Sequence, residues 1–158
     1  MVEQEPETEP ETQAEDDSPQ EPLAAESGFH EMGLSQSTLR ALAAAEYIDP
    51  SPIQAGLIPL ALKGVDVMGQ ARTGTGKTAA FALPILERIE AGGRGAAPQA
   101  LVLAPTRELA VQVRDEFAKL ARGSRKTVLA VYGGKPIRQQ TERLLRGADV
   151  CWRIGFPP

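Results

Sequence analysis

This chain has one cysteine, one histidine and one tryptophan, and only 4% of it is aromatic. The lone Cys151 allows no intrachain disulfide, which fits a reducing cytoplasm. The lone His30 excludes a catalytic histidine pair and a His-rich metal site, and reads as a loop residue. Long apolar runs are also missing, so no stretch is long enough to span a bilayer. The start, MVEQEPETEP, has neither a basic nor an apolar stretch, so it does not read as a signal peptide.

Positive charge is absent from the first part of the chain. Residues 1–28 hold ten acidic residues and no Lys or Arg. Residues 29–158 hold the other eleven acids and all seventeen Lys and Arg, a net of +6. The overall −4 thus combines an acidic tail with a basic body. A basic body suits an anionic partner, nucleotide or nucleic acid, although charge alone equally fits a solvated surface. Residues 1–27 also lack any aromatic residue and are rich in Glu, Pro, Gln and Ser. Such a segment cannot offset its ordering entropy by burial, so it is expected to be a disordered acidic tail.

Order is expected from Phe29. LSQSTLRALAAAEYI places Leu39, Leu42, Ala43 and Tyr47 at helical spacing, with Ser35 or Ser37 as N-cap. Asp49-Pro50-Ser51-Pro52 reads as a turn, and Pro52 can open a second helix that ends at Lys63-Gly64. VDVMGQA reads as a short strand, and KTAAFALPILERIEA as a helix from Lys77 to about Ala91, with Pro84 a point of kinking. QALVLAP reads as a strand. TRELAVQVRDEFAKLAR reads as a helix with Leu109, Val113, Phe117 and Leu120 on one stripe. KTVLAVYGG is a third strand, PIRQQTERLLRG a helix and ADVCWRI a fourth strand. Strands alternating with helices predict an α/β domain whose parallel sheet is covered on both faces.

The chemistry starts at ARTGTGKT, Ala71 to Thr78, between the first expected strand and its helix. Gly74 and Gly76 let backbone N–H groups turn toward a phosphate, and the helix N-terminus adds a favourable dipole. Lys77 would reach the β- and γ-phosphates, and the Thr78 hydroxyl would sit on Mg²⁺. Ala71, Arg72, Thr73 and Thr75 complete the loop. A pattern this loose arises by chance in such a chain on the order of 1% of the time.

ARTGTGKT resembles the phosphate loop of the DEAD-box RNA helicases, which reads A-x-T-G-x-G-K-T and usually starts with Ala, as here with Ala71. EYIDPSPIQ, Glu46 to Gln54, resembles that family's adenine-recognition element. Tyr47, Pro50, Ser51, Pro52, Ile53 and Gln54 match it. Glu46 departs by replacing the common Gly, and Phe29 stands where the family keeps an upstream aromatic. The resemblance implies that Gln54 pairs with the adenine edge, since its amide carries both donor and acceptor. Phe29 and Tyr47 would assist, an aromatic ring being able to stack on the base. PTRELA and YGG also resemble family elements, which makes Pro105, Thr106, Arg107, Gly133 and Gly134 candidate RNA contacts.

After GADV the family continues to Thr-Pro-Gly-Arg, then Asp-Glu-Ala-Asp, then a second RecA-like domain. Here the text is CWRIGFPP, which reads as departing from the family at about residue 150. The expected fold is therefore a truncated RecA-like P-loop domain with a parallel sheet. The expected organisation is a tail over 1–27, a helical extension over 28–56 and the ATP-binding domain over 57–158. The resemblance implies ATP and Mg²⁺ as cofactors and RNA as partner, in ATP-dependent RNA unwinding or remodelling. The chain as written is expected to be cytoplasmic, a monomer or a poorly soluble fragment, and inactive in isolation. Two alternatives stand beside this: a non-catalytic nucleotide- and RNA-binding module, and a P-loop NTPase unrelated to helicases.

Overall fold

The computed structural model describes residues 28–154, so the expected acidic tail over 1–27 lies outside the described residues. After a single 3-10 turn at His30–Met32, the chain forms α1 (Gln36–Ala44), α2 (Pro52–Leu62) and α3 (Lys77–Arg88). Then follow β1 (Ala100–Ala104), α4 (Arg107–Leu120), β2 (Val128–Val131), α5 (Ile137–Leu145) and β3 (Val150–Ile154). The three strands form a parallel sheet in the order β1-β3-β2. Ala100 and Val128 both align with Val150, so the strands start level and their carboxyl ends share one side of the sheet.

Helix α4 organises the core. It packs on all three strands and also touches α1 and α3. Its buried stripe is Ala110, Val113, Phe117 and Leu120; Leu109, expected on that stripe, stays on the surface. Phe29, Leu42, Ile58, Leu83, Phe117 and Val150 fill the interior and are fully buried or nearly so. Each such large apolar side chain contributes about 1.5–3 kcal/mol relative to exposure. The Ser35 hydroxyl caps α1 by accepting from Thr38 N, and α1 ends at Ala44, leaving Tyr47 in the following turn. The proposed boundary at residue 56 falls inside α2, which packs directly on α3.

Three expectations need correction. Residues 65–71 form no strand and are largely exposed. A strand needs a paired backbone neighbour, but a cavity of about 370 Å³ lies between Val67 and Gly69 on one side and Val102, Leu103 and Ala104 on the other. Helix α3 ends at Arg88 rather than Ala91, because Ile89 turns into extended backbone and buries its side chain. The helix runs through Pro84 without a break. Nor, among the described residues, is the sheet covered on both faces. Side chains alternate along a strand, and Leu101 and Leu103 on the face away from α4 are each 63% exposed. Helix α5 packs chiefly on β2 and buries no residue of its own.

Candidate functional site

The phosphate loop joins the unpaired segment 65–70 to α3. Gly74 and Gly76 both have φ of +80°, a left-handed conformation that side chains disfavour. Gly76 is the N-cap of α3, which places Lys77 and Thr78 in the first turn, where N–H groups lack helical partners. The Thr75 hydroxyl donates to the Arg72 carbonyl at 2.8 Å and closes the loop tip. Lys77 folds back so that Nζ donates to the Ala71 carbonyl, the first residue of the loop. Lys77 and Thr78 line the 370 Å³ cavity together with Ala104 and Leu109. The loop therefore opens beside the carboxyl end of β1, where open α/β sheets bind ligands.

Gln54 is brought to this loop from α2. The residue is 2% exposed. Its Oε1 accepts from Ser51 N at 2.8 Å, and its Nε2 donates to the Gly76 carbonyl at 3.1 Å. One amide hydrogen and one oxygen lone pair remain after these two bonds. That is the capacity needed to pair with one donor and one acceptor on a base edge. Ser51 opens α2 as the N-cap of a capping box with Gln54, and its Oγ is buried beside Gly76.

Phe29 and Tyr47 sit behind Gln54 in the sequence element but not on an open surface. Phe29 has no exposed face, and its ring meets Tyr47 edge-on at 6.4 Å between centroids. In this conformation Phe29 is a core residue rather than a free stacking platform. Tyr47 is half-buried, and its hydroxyl donates to Glu116 Oε1 at 2.7 Å. Burial pushes the Tyr47 phenol above its ordinary range, and the hydrogen bond to Glu116 and its negative charge push the same way.

The candidate RNA contacts converge at the other end of α4. The Thr106 hydroxyl caps α4 by accepting from Leu109 N at 3.2 Å, and Pro105 precedes it on the surface. Arg107 lays its guanidinium on the Gly133–Gly134 turn. A Cβ built on Gly134 would stand 2.6 Å from Arg107 Nη1. Arg107 and Gly133 are 26 residues apart in the sequence, and the parallel pairing of β1 and β2 through β3 brings them together. Gln140 was not singled out, yet it holds the turn. Its Oε1 accepts from Tyr132 N at 2.9 Å, and its Nε2 donates to the Tyr132 carbonyl at 3.1 Å and the Lys135 carbonyl at 3.2 Å. Lys135 Nζ stands 5.2 Å over the Tyr132 ring. Glu116 and Gln140 escaped the sequence reading because neither lies in a motif; each acts through a hydrogen bond to a motif residue, Tyr47 or Tyr132.

The donor set for a metal is thin. Thr78 supplies a hydroxyl, and among the described residues no group of three or more His, Cys, Asp or Glu could hold a metal ion. Mg²⁺ usually takes one or two carboxylates besides phosphate oxygens and water, so these residues alone do not make a metal site. Asp149, one residue before β3, is committed to structure. Its Oδ1 accepts from Gly92 N at 2.8 Å and its Oδ2 from Thr127 N at 2.7 Å.

The model of the DEAD/DEAH box helicase family matches residues 51–154 of this sequence. The chain belongs to the DEAD/DEAH box helicase family. The match includes 151–154, so the family resemblance does not stop at 150, and β3 indeed continues to Ile154. The chain is 49% identical over 129 residues to the DEAD-box ATP-dependent RNA helicase CshA of Geobacillus kaustophilus (strain HTA426), covering 82% of this chain and 27% of that protein. Two solved structures share the fold. A DEAD box protein from the hyperthermophile Methanococcus jannaschii aligns with a TM-score of 0.74 and 37% identity, over 80% of this chain and 34% of that one. The RNA-helicase Prp28 from Chaetomium thermophilum, bound to ADP, aligns with a TM-score of 0.72 and 40% identity, over 78% and 31%. The sequence thus spans about a third or less of these relatives' length.

Proposed function

We propose that this chain is the nucleotide- and RNA-binding first part of an ATP-dependent RNA helicase. The observation that carries the reading is the Gln54 bond to the Gly76 carbonyl. It joins the adenine element to the phosphate loop across 22 residues and leaves one donor and one acceptor of the amide unused. Gln54 reads the adenine edge, and the buried Phe29 and Tyr47 back it. A base reaches Gln54 only by displacing part of its cover, and stacking on Phe29 requires the same opening.

Lys77 exchanges the Ala71 carbonyl for phosphate oxygens. The N–H groups of the Gly74–Thr78 stretch hold the phosphates by charge-assisted hydrogen bonds. The Thr78 hydroxyl would be this chain's one contact to a nucleotide-bound Mg²⁺, which would neutralise phosphate charge when present. Thr106, Arg107 and the Gly133–Gly134 turn hold RNA phosphates, with Pro105 fixing the approach to α4. Competition between ADP and GDP for the 158-residue chain tests the reading. ADP should win, because guanine exchanges the donor and acceptor on that edge; equal affinity overturns the proposal.

A further inference from the structure

The adenine element is tied to α4 by a long-range hydrogen bond. The Tyr47 hydroxyl and Glu116 Oε1 are 2.7 Å apart and 69 residues apart in sequence. Glu116 lies on the side of α4 remote from the Arg107 end, and its second oxygen accepts from Lys119 at 3.2 Å. The Tyr47 hydroxyl hydrogen is spent on Glu116 and is not available to a base. The Tyr47 ring is gripped edge-on by the fully buried Phe29. Its backbone N–H donates to the Leu42 carbonyl at 3.0 Å, which holds the turn to the end of α1.

From Tyr47 the restraint passes directly to Gln54. The intervening Asp49-Pro50-Ser51-Pro52 contains two prolines with fixed φ, so little slack is available. Pro50 abuts Gly28, where a built Cβ would stand 3.1 Å from its ring. Ser51 N then donates to Gln54 Oε1, and Gln54 Nε2 to Gly76. We infer that Tyr47 and Glu116 are positioning residues for the nucleotide site. Their hydrogen bond pins the connection between α1 and α2 to α4 and so sets where the Gln54 amide stands over the phosphate loop. This deepens the proposed adenine reading and rests on it. It also changes the part played by Tyr47, which acts through Gln54 rather than touching the base.

The test uses Tyr47→Phe, Glu116→Ala, their double variant and Glu116→Gln in the 158-residue chain. Hydrogen exchange at the Ser51 and Gln54 amides is measured together with affinity for ADP and for inorganic pyrophosphate. Tyr47→Phe and Glu116→Ala should each speed exchange at Ser51 and weaken ADP by about 3- to 10-fold, the size of one net hydrogen bond. The double variant should be no weaker than either single variant, since both remove the same bond. Glu116→Gln keeps an acceptor oxygen and should restore most of the affinity. Pyrophosphate affinity should not change, because the phosphate loop does not need the adenine element to be in register. An equal loss for pyrophosphate would mean general destabilisation and would overturn the inference. Unchanged ADP affinity and exchange in Tyr47→Phe, with wild type still preferring ADP to GDP, would overturn this inference alone. No preference for ADP in wild type would overturn the adenine reading and this inference with it.

Discussion

Gly76 leaves room for Gln54: a Cβ built on Gly76 would stand 2.3 Å from Gln54 Nε2. The same glycine has φ of +80°. Gly76→Ala therefore meets two penalties, a left-handed backbone worth about 1–2 kcal/mol and displacement of a buried amide from its carbonyl partner. Urea denaturation should show a loss of at least about 1 kcal/mol, and ADP binding should disappear. A variant of unchanged stability would mean that Gln54 and Gly76 do not meet as described.

Lys77→Ala should separate binding from folding. The Lys77 ammonium is half-buried and serves the Ala71 carbonyl, so its loss costs about 0.5–1.5 kcal/mol of one net hydrogen bond. Nucleotide binding should be abolished while circular dichroism stays that of the parent. An unfolded variant would assign Lys77 a structural role.

Glu46 occupies the position where the family commonly has Gly, and its φ of +61° explains that preference. Replacing it with Gly relieves the left-handed strain of about 1–2 kcal/mol but loosens the unfolded chain by about 0.5–1 kcal/mol. Glu46→Gly should thus stabilise the domain by up to about 1 kcal/mol, seen as a raised thermal midpoint. A lowered midpoint would contradict the strained geometry.

Asp149→Asn tests a staple. Asp149 receives N–H donors on both carboxylate oxygens, from Gly92 and Thr127. The Asn amide has only one oxygen, so its NH₂ must face one of those N–H groups. The expected loss is about 1–3 kcal/mol, read by denaturant midpoint. Nucleotide affinity measured on the folded fraction should be unchanged.

Alkaline pH should weaken the Tyr47–Glu116 link. The folded phenol is raised above its ordinary value of 10.0, so the folded state holds this proton more tightly than the unfolded state. The stability it gives is complete below pH 10 and declines as pH rises beyond that value. Subtracting the ultraviolet titration of Tyr47→Phe from that of wild type isolates this group. It should ionise later than a free tyrosine, and earlier again in Glu116→Gln. Ionisation at the ordinary value in wild type would mean that the phenol is neither buried nor bonded to Glu116.

Much of the local structure and the site vocabulary was legible in the sequence. Pro52, Ser35 and Thr106 sit at the starts of α2, α1 and α4 because caps and prolines act over a few residues. Apolar runs marked β1, β2 and β3, and the spacing of Gly74, Gly76, Lys77 and Thr78 marked the loop. These are short-range features that a chain writes directly into residue order.

What the sequence could not decide was anything set by a distant partner. VDVMGQA has a strand's composition, yet it pairs with no strand among the described residues, and β1 stands across a cavity from it. Leu109 fits the helical period but lies outside the stripe that α4 turns toward the sheet. Phe29 has the right residue type for stacking, but the packing of α1, α2 and α4 puts it in the core. Glu116 and Asp149 each matter through a hydrogen bond to a group remote in sequence, and Gln140 through bonds to a turn that no motif ties to it. Helix period and capping are local physics and can be read in order along the chain. Strand pairing, burial and buried hydrogen bonds depend on which surfaces meet, and only the tertiary structure decides that.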